Sequence, residues 1–79
     1  MNSEFNTLTK DQQAAVRRCV GAVQSSPRCG QKSERLPNGD EAYAYPGYQG
    51  TCWGLNSAET GYNKARGVWP KGKPATNGT

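Results

Sequence analysis

A chain of 79 residues with a formal net charge of +4 can form one small domain at most. It holds three leucines, four valines and no isoleucine, and its mean hydropathy is −0.94, so the supply of aliphatic core residues is small. The lack of histidine excludes Ser-His and Cys-His catalytic pairs and most zinc and copper sites. We therefore predict a protein that is not an enzyme and that holds no cofactor and no metal.

The positive charge is concentrated towards the two ends of the chain. Residues 1–31 carry +2, residues 32–55 carry −1 and residues 56–79 carry +3. This distribution favours anionic partners but falls short of the dense basic patch that is typical of nucleic-acid-binding proteins. No apolar run is long enough to span a membrane, and the N-terminal segment lacks the pattern of a secretion signal. We therefore expect a cytoplasmic protein.

A capping box at Thr9-Lys10-Asp11-Gln12 predicts where the first helix begins, because the threonine and glutamine side chains can each bond the other's backbone amide. Ser25-Ser26-Pro27 predicts its end. Between these signals, apolar residues recur at helical spacing and predict a buried stripe. We expect residues 1–7 to form a loose arm. The stripe, with the leucine just ahead of the cap, is Leu8, Gln12, Ala15, Val16, Cys19, Val20 and Val23.

The clearest turn signal is Leu36-Pro37-Asn38-Gly39. Proline suits the second position of a type I turn, and the glycine can take the left-handed conformation that closes the turn with a bulge. We predict that residues 32–36 and 40–45 pair as antiparallel strands on either side of it. Residues 51–55 predict a third short strand, since two strands alone are marginal in water.

The alternation of side chains along the second strand separates small residues from aromatic ones. Ala42 and Ala44 point to one face, which invites close approach by a helix, whereas Tyr43 and Tyr45 point to the other. Further along the chain, Asn56-Ser57 offers caps for a short helix over residues 58–65.

These elements predict an α+β fold in which one N-terminal helix packs on a three-stranded antiparallel sheet. We expect a single domain over residues 1–69 and a disordered, basic tail over residues 70–79, because the tail is rich in proline, glycine and lysine. The predicted core consists of Leu8, Val16, Cys19, Val20, Val23, Leu36, Trp53 and Leu55.

The three cysteines are an odd number, so at least one cannot pair within the chain, which favours a reducing compartment. Cys19 lies on the helix stripe and is expected to be a buried thiol. If two of them pair, Cys29 and Cys52 are our choice, since Cys29 lies off the helix. The neighbouring carboxylates Asp40 and Glu41 point to opposite faces of a strand, so they cannot act as a paired acid and base.

The aromatic and basic residues are the candidates for binding. The rings could form the core, a protein-binding patch or a platform on which bases stack. The candidate partner-binding residues are Tyr43, Tyr45, Tyr48, Trp53, Tyr62 and Trp69. The candidate anion-binding residues are Lys10, Arg17, Arg18, Lys64, Arg66, Lys71 and Lys73.

A domain of this size buries only about 60% of its unfolded surface, so we expect a marginal fold, or one that gains stability from a partner or a second copy of the chain. The favoured hypothesis is a small binding module that docks on another protein as an inhibitor or accessory subunit. One alternative is a weak nucleic-acid-binding protein that uses the basic helix face and the tail. The other is a structural component that assembles with copies of itself.

Overall fold

The computed structural model describes residues 3–26, 28 and 30–75. Its elements are α1 (Ser3–Asn6), α2 (Lys10–Ser25), β1 (Lys32–Arg35), β2 (Glu41–Pro46), β3 (Gly50–Asn56) and β4 (Asn63–Pro70). The strands form one antiparallel sheet in the order β1-β2-β3-β4, and α2 packs across one face of it. The predicted combination of a helix with an antiparallel sheet is confirmed, but the sheet has four strands rather than three. Neither helix of the described chain combines the length and apolar character that a membrane crossing requires.

The start of α2 matches the predicted capping box. The Gln12 amide donates to Oγ1 of Thr9 at 3.2 Å, and the Thr9 amide donates to Oε1 of Gln12 at 3.0 Å. Two of the amide groups that have no partner within the helix are thereby satisfied. The apolar stripe that follows lies inside the molecule, and its fully buried members are Ala15, Val16, Cys19, Val20 and Val23.

The predicted hairpin between β1 and β2 is also confirmed. The Gly39 amide donates to the Leu36 carbonyl at 2.9 Å, and the Leu36 amide donates to the Asp40 carbonyl at 2.8 Å. Gly39 has a φ of +95°, in the left-handed region that favours glycine. The turn fixes a register in which Arg35 lies opposite Glu41.

Small residues on β2 let α2 come close to the sheet. Ala42 and Ala44 are fully buried beneath the helix, and the Cys19 thiol donates to the Ala42 carbonyl with Sγ 3.7 Å from the oxygen. Ala44 lies directly opposite Trp53 in the register, so the large indole fills the space that the alanine leaves. The core is therefore built from pairs of small and large side chains across neighbouring strands.

The loose arm predicted over residues 1–7 is wrong for its described part. Phe5 lies in α1 and is only 2% exposed. Its ring makes edge-to-face contacts with Trp53 and Trp69, at centroid distances of 5.7 and 5.3 Å. Because aliphatic side chains are scarce, three aromatic rings complete the core, and burying them anchors the N-terminal segment.

The short helix predicted over residues 58–65 is wrong as well. The Ser57 amide donates to the Tyr62 carbonyl at 2.9 Å and the Gly61 amide to the Ser57 carbonyl at 3.0 Å, so this segment closes a turn that leads into β4. Ala65 and Trp69 of β4 are buried, and pairing with β3 outweighs the weak helical tendency of a segment that contains glycine.

We predicted a disordered tail over residues 70–79, but in the structure residues 73 and 75 form hydrogen bonds with the end of α2. The Gln24 side chain donates to the Lys73 carbonyl at 2.9 Å and accepts from the Ala75 amide at 3.0 Å. Ala75 is buried, since the glutamine amide satisfies the backbone groups around it. The last four residues, 76–79, lie outside the described residues.

The Asp40 carboxylate joins several parts of the fold. It accepts hydrogen bonds from Nζ of Lys64 at 2.8 Å, the Ala58 amide at 2.9 Å, Nδ2 of Asn38 at 3.3 Å and Nε2 of Gln12 at 3.5 Å. These donors belong to β4, to the β1–β2 and β3–β4 turns and to the first turn of α2. The Lys64 ammonium and the Ala58 amide lower the pKa of Asp40, because both favour the ionised form.

The lowered pKa of Asp40 predicts a loss of stability in acid. The ionised carboxylate stabilises the fold fully above the pKa of the unfolded chain, near 4, and this contribution disappears as the pH falls through the lower folded-state pKa. We expect Asp40→Asn to lower the melting temperature at neutral pH and to approach the wild type in acid. Thermal unfolding followed by circular dichroism from neutral pH to about pH 2 measures this difference. A difference that stays constant over the whole range would contradict the assigned role.

The three-ring core predicts a large effect of truncating Phe5. Phe5→Ala removes a buried ring from between two indoles, and we expect it to lower the free energy of unfolding by about 3–5 kcal/mol. Tyr48→Ala is the control, because this ring is 93% exposed and its loss should change stability by less than about 0.5 kcal/mol. Urea denaturation of both variants measures the two values. Equal effects would show that α1 is not part of the core.

Candidate partner-binding face

The face of the sheet that points away from α2 carries a compact group of side chains, here termed the outer face. Because side chains alternate along a strand, residues that neighbour the buried ones point outward. The register sets six of them in two adjacent rows, one of Tyr43, Gly54 and Arg66 and the next of Tyr45, Cys52 and Val68. Residues directly opposite each other have Cβ atoms about 5 Å apart, so each row forms a continuous surface.

The two tyrosines of the outer face are parallel. The Tyr43 and Tyr45 rings lie within 5° of parallel, with centroids 6.3 Å apart. Tyr43 leans across Gly54, where any Cβ would clash with the ring, and its hydroxyl donates to Oδ1 of Asn63 at 3.0 Å. The Tyr43 ring therefore packs directly on the Gly54 backbone, and contacts within the protein hold it in place.

Tyr45, Cys52 and Arg66 lie close enough to influence one another. The neighbouring Cys52 thiol raises the pKa of Tyr45, and the Arg66 guanidinium acts in the opposite direction with a smaller effect. A tyrosine hydroxyl is protonated at neutral pH even without such a shift, so Tyr45 can donate a hydrogen bond. The outer face presents hydroxyl and guanidinium donors around an aromatic and aliphatic surface.

The outer face is less polar than the exposed side of an antiparallel sheet usually is. Tyr45 is 43% exposed and Val68 is 38% exposed, and they lie in the same row on either side of Cys52. Aromatic and arginine side chains are enriched among the residues that dominate protein interfaces. This composition is typical of a binding surface.

The edges of the sheet are less suited to binding than its outer face. β1 has only four residues, three of which are charged. On β4, the Arg66 amide already donates to Oε1 of Glu4 at 3.2 Å. Short, charged or capped edges disfavour pairing with another strand, so the outer face is the better candidate for a binding surface.

Of the six candidate aromatic residues, only Tyr43 and Tyr45 belong to the outer face. The other aromatic candidates include Trp53 and Trp69, which lie buried in the core. Both side chains point inward because successive residues of a strand point to opposite faces of the sheet. Nε1 of Trp69 donates a hydrogen bond to the Lys73 carbonyl at 2.8 Å.

Tyr48 and Tyr62 are well exposed, at 93% and 78%, but they lie in connections at opposite ends of β3. A strand of this length separates its ends by about 20 Å. The two rings therefore do not converge with each other into one aromatic surface.

Three of the candidate basic residues already have partners within the fold. The Arg17 guanidinium lies 5.3 Å from the centroid of the Phe5 ring. Arg18 forms a two-point ion pair with Glu34, in which Nε donates to Oε1 at 2.8 Å, and the contact raises the pKa of Arg18 and lowers that of Glu34. Lys64 pairs with Asp40 as described above.

The other basic candidates are spread over the molecule. Lys10 begins α2, whereas Lys73 contacts Gln24 near its end, and at 1.5 Å per residue the two helix positions lie about 21 Å apart. Lys71 neighbours Lys73, and Arg66 alone lies on the outer face. The seven predicted anion-binding residues therefore do not form one basic patch.

The cysteines differ sharply in their surroundings. Cys19 is a buried free thiol, as predicted, and burial raises its pKa to about 11. Cys52 is also free and is half-exposed on the outer face. The alternative pairing of Cys29 with Cys52 involves Cys29, which lies outside the described residues. Within the described ranges, no three side chains of the metal-binding types are grouped to hold an ion.

Sequence reasoning missed Val68 and Gly54 as parts of the outer face. Residues 63–70 carry the signal that could have revealed Val68, since buried and outward residues alternate there at the strand period of two.

The chain matches no protein-family model, no curated protein and no solved structure.

The cysteine environments predict selective alkylation. Under native conditions we expect iodoacetamide to modify Cys52 and to leave Cys19 intact, because the thiolate is the reactive form and Cys19 is both buried and hard to ionise. In urea both should react. Peptide mapping by mass spectrometry follows each residue separately. Modification of Cys19 as fast as Cys52 in the folded protein would contradict the packing of α2 on the sheet.

Proposed function

We propose that this protein is a small, non-enzymatic binding module that docks on a partner protein through the outer face. The observation that carries the proposal is the pair of parallel tyrosine rings beside Val68 and Arg66, on the side of the sheet that α2 leaves uncovered. A pre-positioned aromatic surface with an arginine at its margin supplies the residue types that contribute most to protein interfaces.

The mode of action that fits this geometry is that of an inhibitor or accessory subunit. The outer face offers hydrogen-bond donors beside apolar contacts, which suits docking on a protein surface. The two described thiols, Cys19 and Cys52, are free, which supports a cytoplasmic location because a reducing compartment keeps thiols unpaired.

The distribution of charge supports a protein partner more than a nucleic acid. Phosphate backbones are bound by several lysines and arginines that act together. Here Arg66 shares the outer face with Glu41, which points to the same side as Tyr43. Arg35 lies opposite Glu41 on the same face, so the charges of the outer face include both signs and do not form a dense basic patch.

The test compares capture of partners by matched variants. Tyr45→Thr with Val68→Thr removes the exposed apolar surface while keeping residues that favour strands. Tyr48→Thr with Tyr62→Thr is the control, since it removes two exposed rings from outside the outer face. Each tagged protein, after thermal unfolding has shown that it is folded, is incubated with extract of the source cells, with nuclease added or omitted. Bound proteins are quantified by mass spectrometry.

We expect specific proteins to be captured by the wild type and the control, and to be reduced by about tenfold or more on the outer-face variant, as for the loss of interface hot spots. Equal capture by all three proteins would contradict the proposal. Capture that disappears with nuclease treatment would point to a nucleic acid instead.

A further inference from the structure

We infer that the partner segment received by the outer face is acidic and apolar, with a carboxylate that pairs with Arg66 and an apolar side chain that packs on Tyr45 and Val68. This inference rests on the proposed function and adds the chemistry of the partner to it.

Arg66 gives this part of the outer face a positive charge. Its side chain is exposed at the end of the row that begins with Tyr43, and Gly54 between them contributes no side chain of its own. Among the residues that the structure describes, the ion pairs are Arg18 with Glu34 and Lys64 with Asp40. The Arg66 guanidinium takes part in neither of these pairs, so it is available to an incoming carboxylate.

The hydrogen-bonding groups around Arg66 are suited to a carboxylate. A guanidinium presents a rigid fork of donors and no acceptor, which matches a carboxylate at two points. The Tyr45 hydroxyl, in the row next to that of Arg66, adds a further donor. A surface that offers donors and one positive charge is complementary to an anionic group rich in acceptors.

The apolar part of the segment follows from the second row. Tyr45 and Val68 lie on either side of Cys52, and all three side chains are exposed or half-exposed. This row adjoins the one that holds Arg66, so one extended segment can place an acidic residue on one row and an apolar residue on the other.

The net charge of the protein agrees with an acidic partner. The chain carries +4, and long-range attraction by a charged protein raises the rate at which an oppositely charged partner associates. A phosphodiester strand is a poorer match, because Arg35 and Arg66 share the outer face with the Glu41 carboxylate and provide few of the cations that a row of phosphates requires.

Selection from a random peptide library displayed on phage tests this chemistry without a known partner. The targets are the wild type, Arg66→Glu and the matched control Arg28→Glu, which makes the same charge change on an exposed residue in the connection between α2 and β1. We expect peptides enriched in Asp and Glu beside apolar residues from the wild type and the control. We expect the selected peptides to bind Arg66→Glu more weakly by about tenfold or more.

The outcomes separate this inference from the proposed function. Peptides that lose affinity for the Tyr45→Thr, Val68→Thr variant but lack acidic residues overturn the inference and leave the docking face standing. Peptides that bind this variant as tightly as the wild type overturn both. A fluorescein-labelled oligothymidine that binds the wild type more tightly than the peptides, and that depends on Arg66, assigns the face to nucleic acid and overturns the inference.

Discussion

The packing of a single helix on one face of a four-stranded sheet is the constraint on which the rest of this structure depends. The chain has few aliphatic residues, so α2 can seal the sheet only by approaching it closely over Ala42 and Ala44. The remaining volume is filled by the rings of Phe5, Trp53 and Trp69. The largest hydrophobic side chains are thereby used in the core, and the stability of the domain depends on their contacts.

One helix cannot cover two faces, and the sequence of the outer face suits that exposure. The tyrosines tolerate contact with water because each combines an apolar ring with a hydroxyl, and Tyr43 is further held by Gly54 and Asn63. The helix-facing and outward residues alternate along the same strands. The strand period therefore places Trp53 and Trp69 in the core and Tyr43 and Tyr45 on the outer face, where we propose that a partner docks.

Local signals in the sequence predicted the parts of the fold that depend on neighbouring residues. The capping box at Thr9, the turn at Gly39 and the alternation around Ala42 each act within a few residues, and the structure contains all three. β4 and the burial of Phe5 depend on contacts between distant parts of the chain. The secondary-structure propensities of single residues do not reveal such contacts. In β4, Gly67 interrupts the alternation, and Asn56-Ser57 ahead of this strand is typical of a helix cap.

The candidate site was predictable to the same extent. Alternation placed Tyr43 and Tyr45 together on one side of β2 from the sequence alone. Arg66 and Val68 joined them only once β4 was known to pair with β3, because the register brings residues more than twenty positions apart into one row. The predicted anion-binding set failed to converge for the converse reason, since charge along a sequence does not reveal which residues form ion pairs within the fold.

The four valines of the chain provide a direct measurement of the central claim that one face of the sheet is sealed and the other is open. The three valines of α2, at positions 16, 20 and 23, are buried between the helix and the sheet, and Val68 lies on the outer face. In a sample with labelled valine methyl groups, a soluble gadolinium chelate should broaden the NMR signals of Val68 strongly and leave the other three nearly unchanged. Protection of Val68 to the same degree as the helix valines, in the isolated protein, would contradict the account.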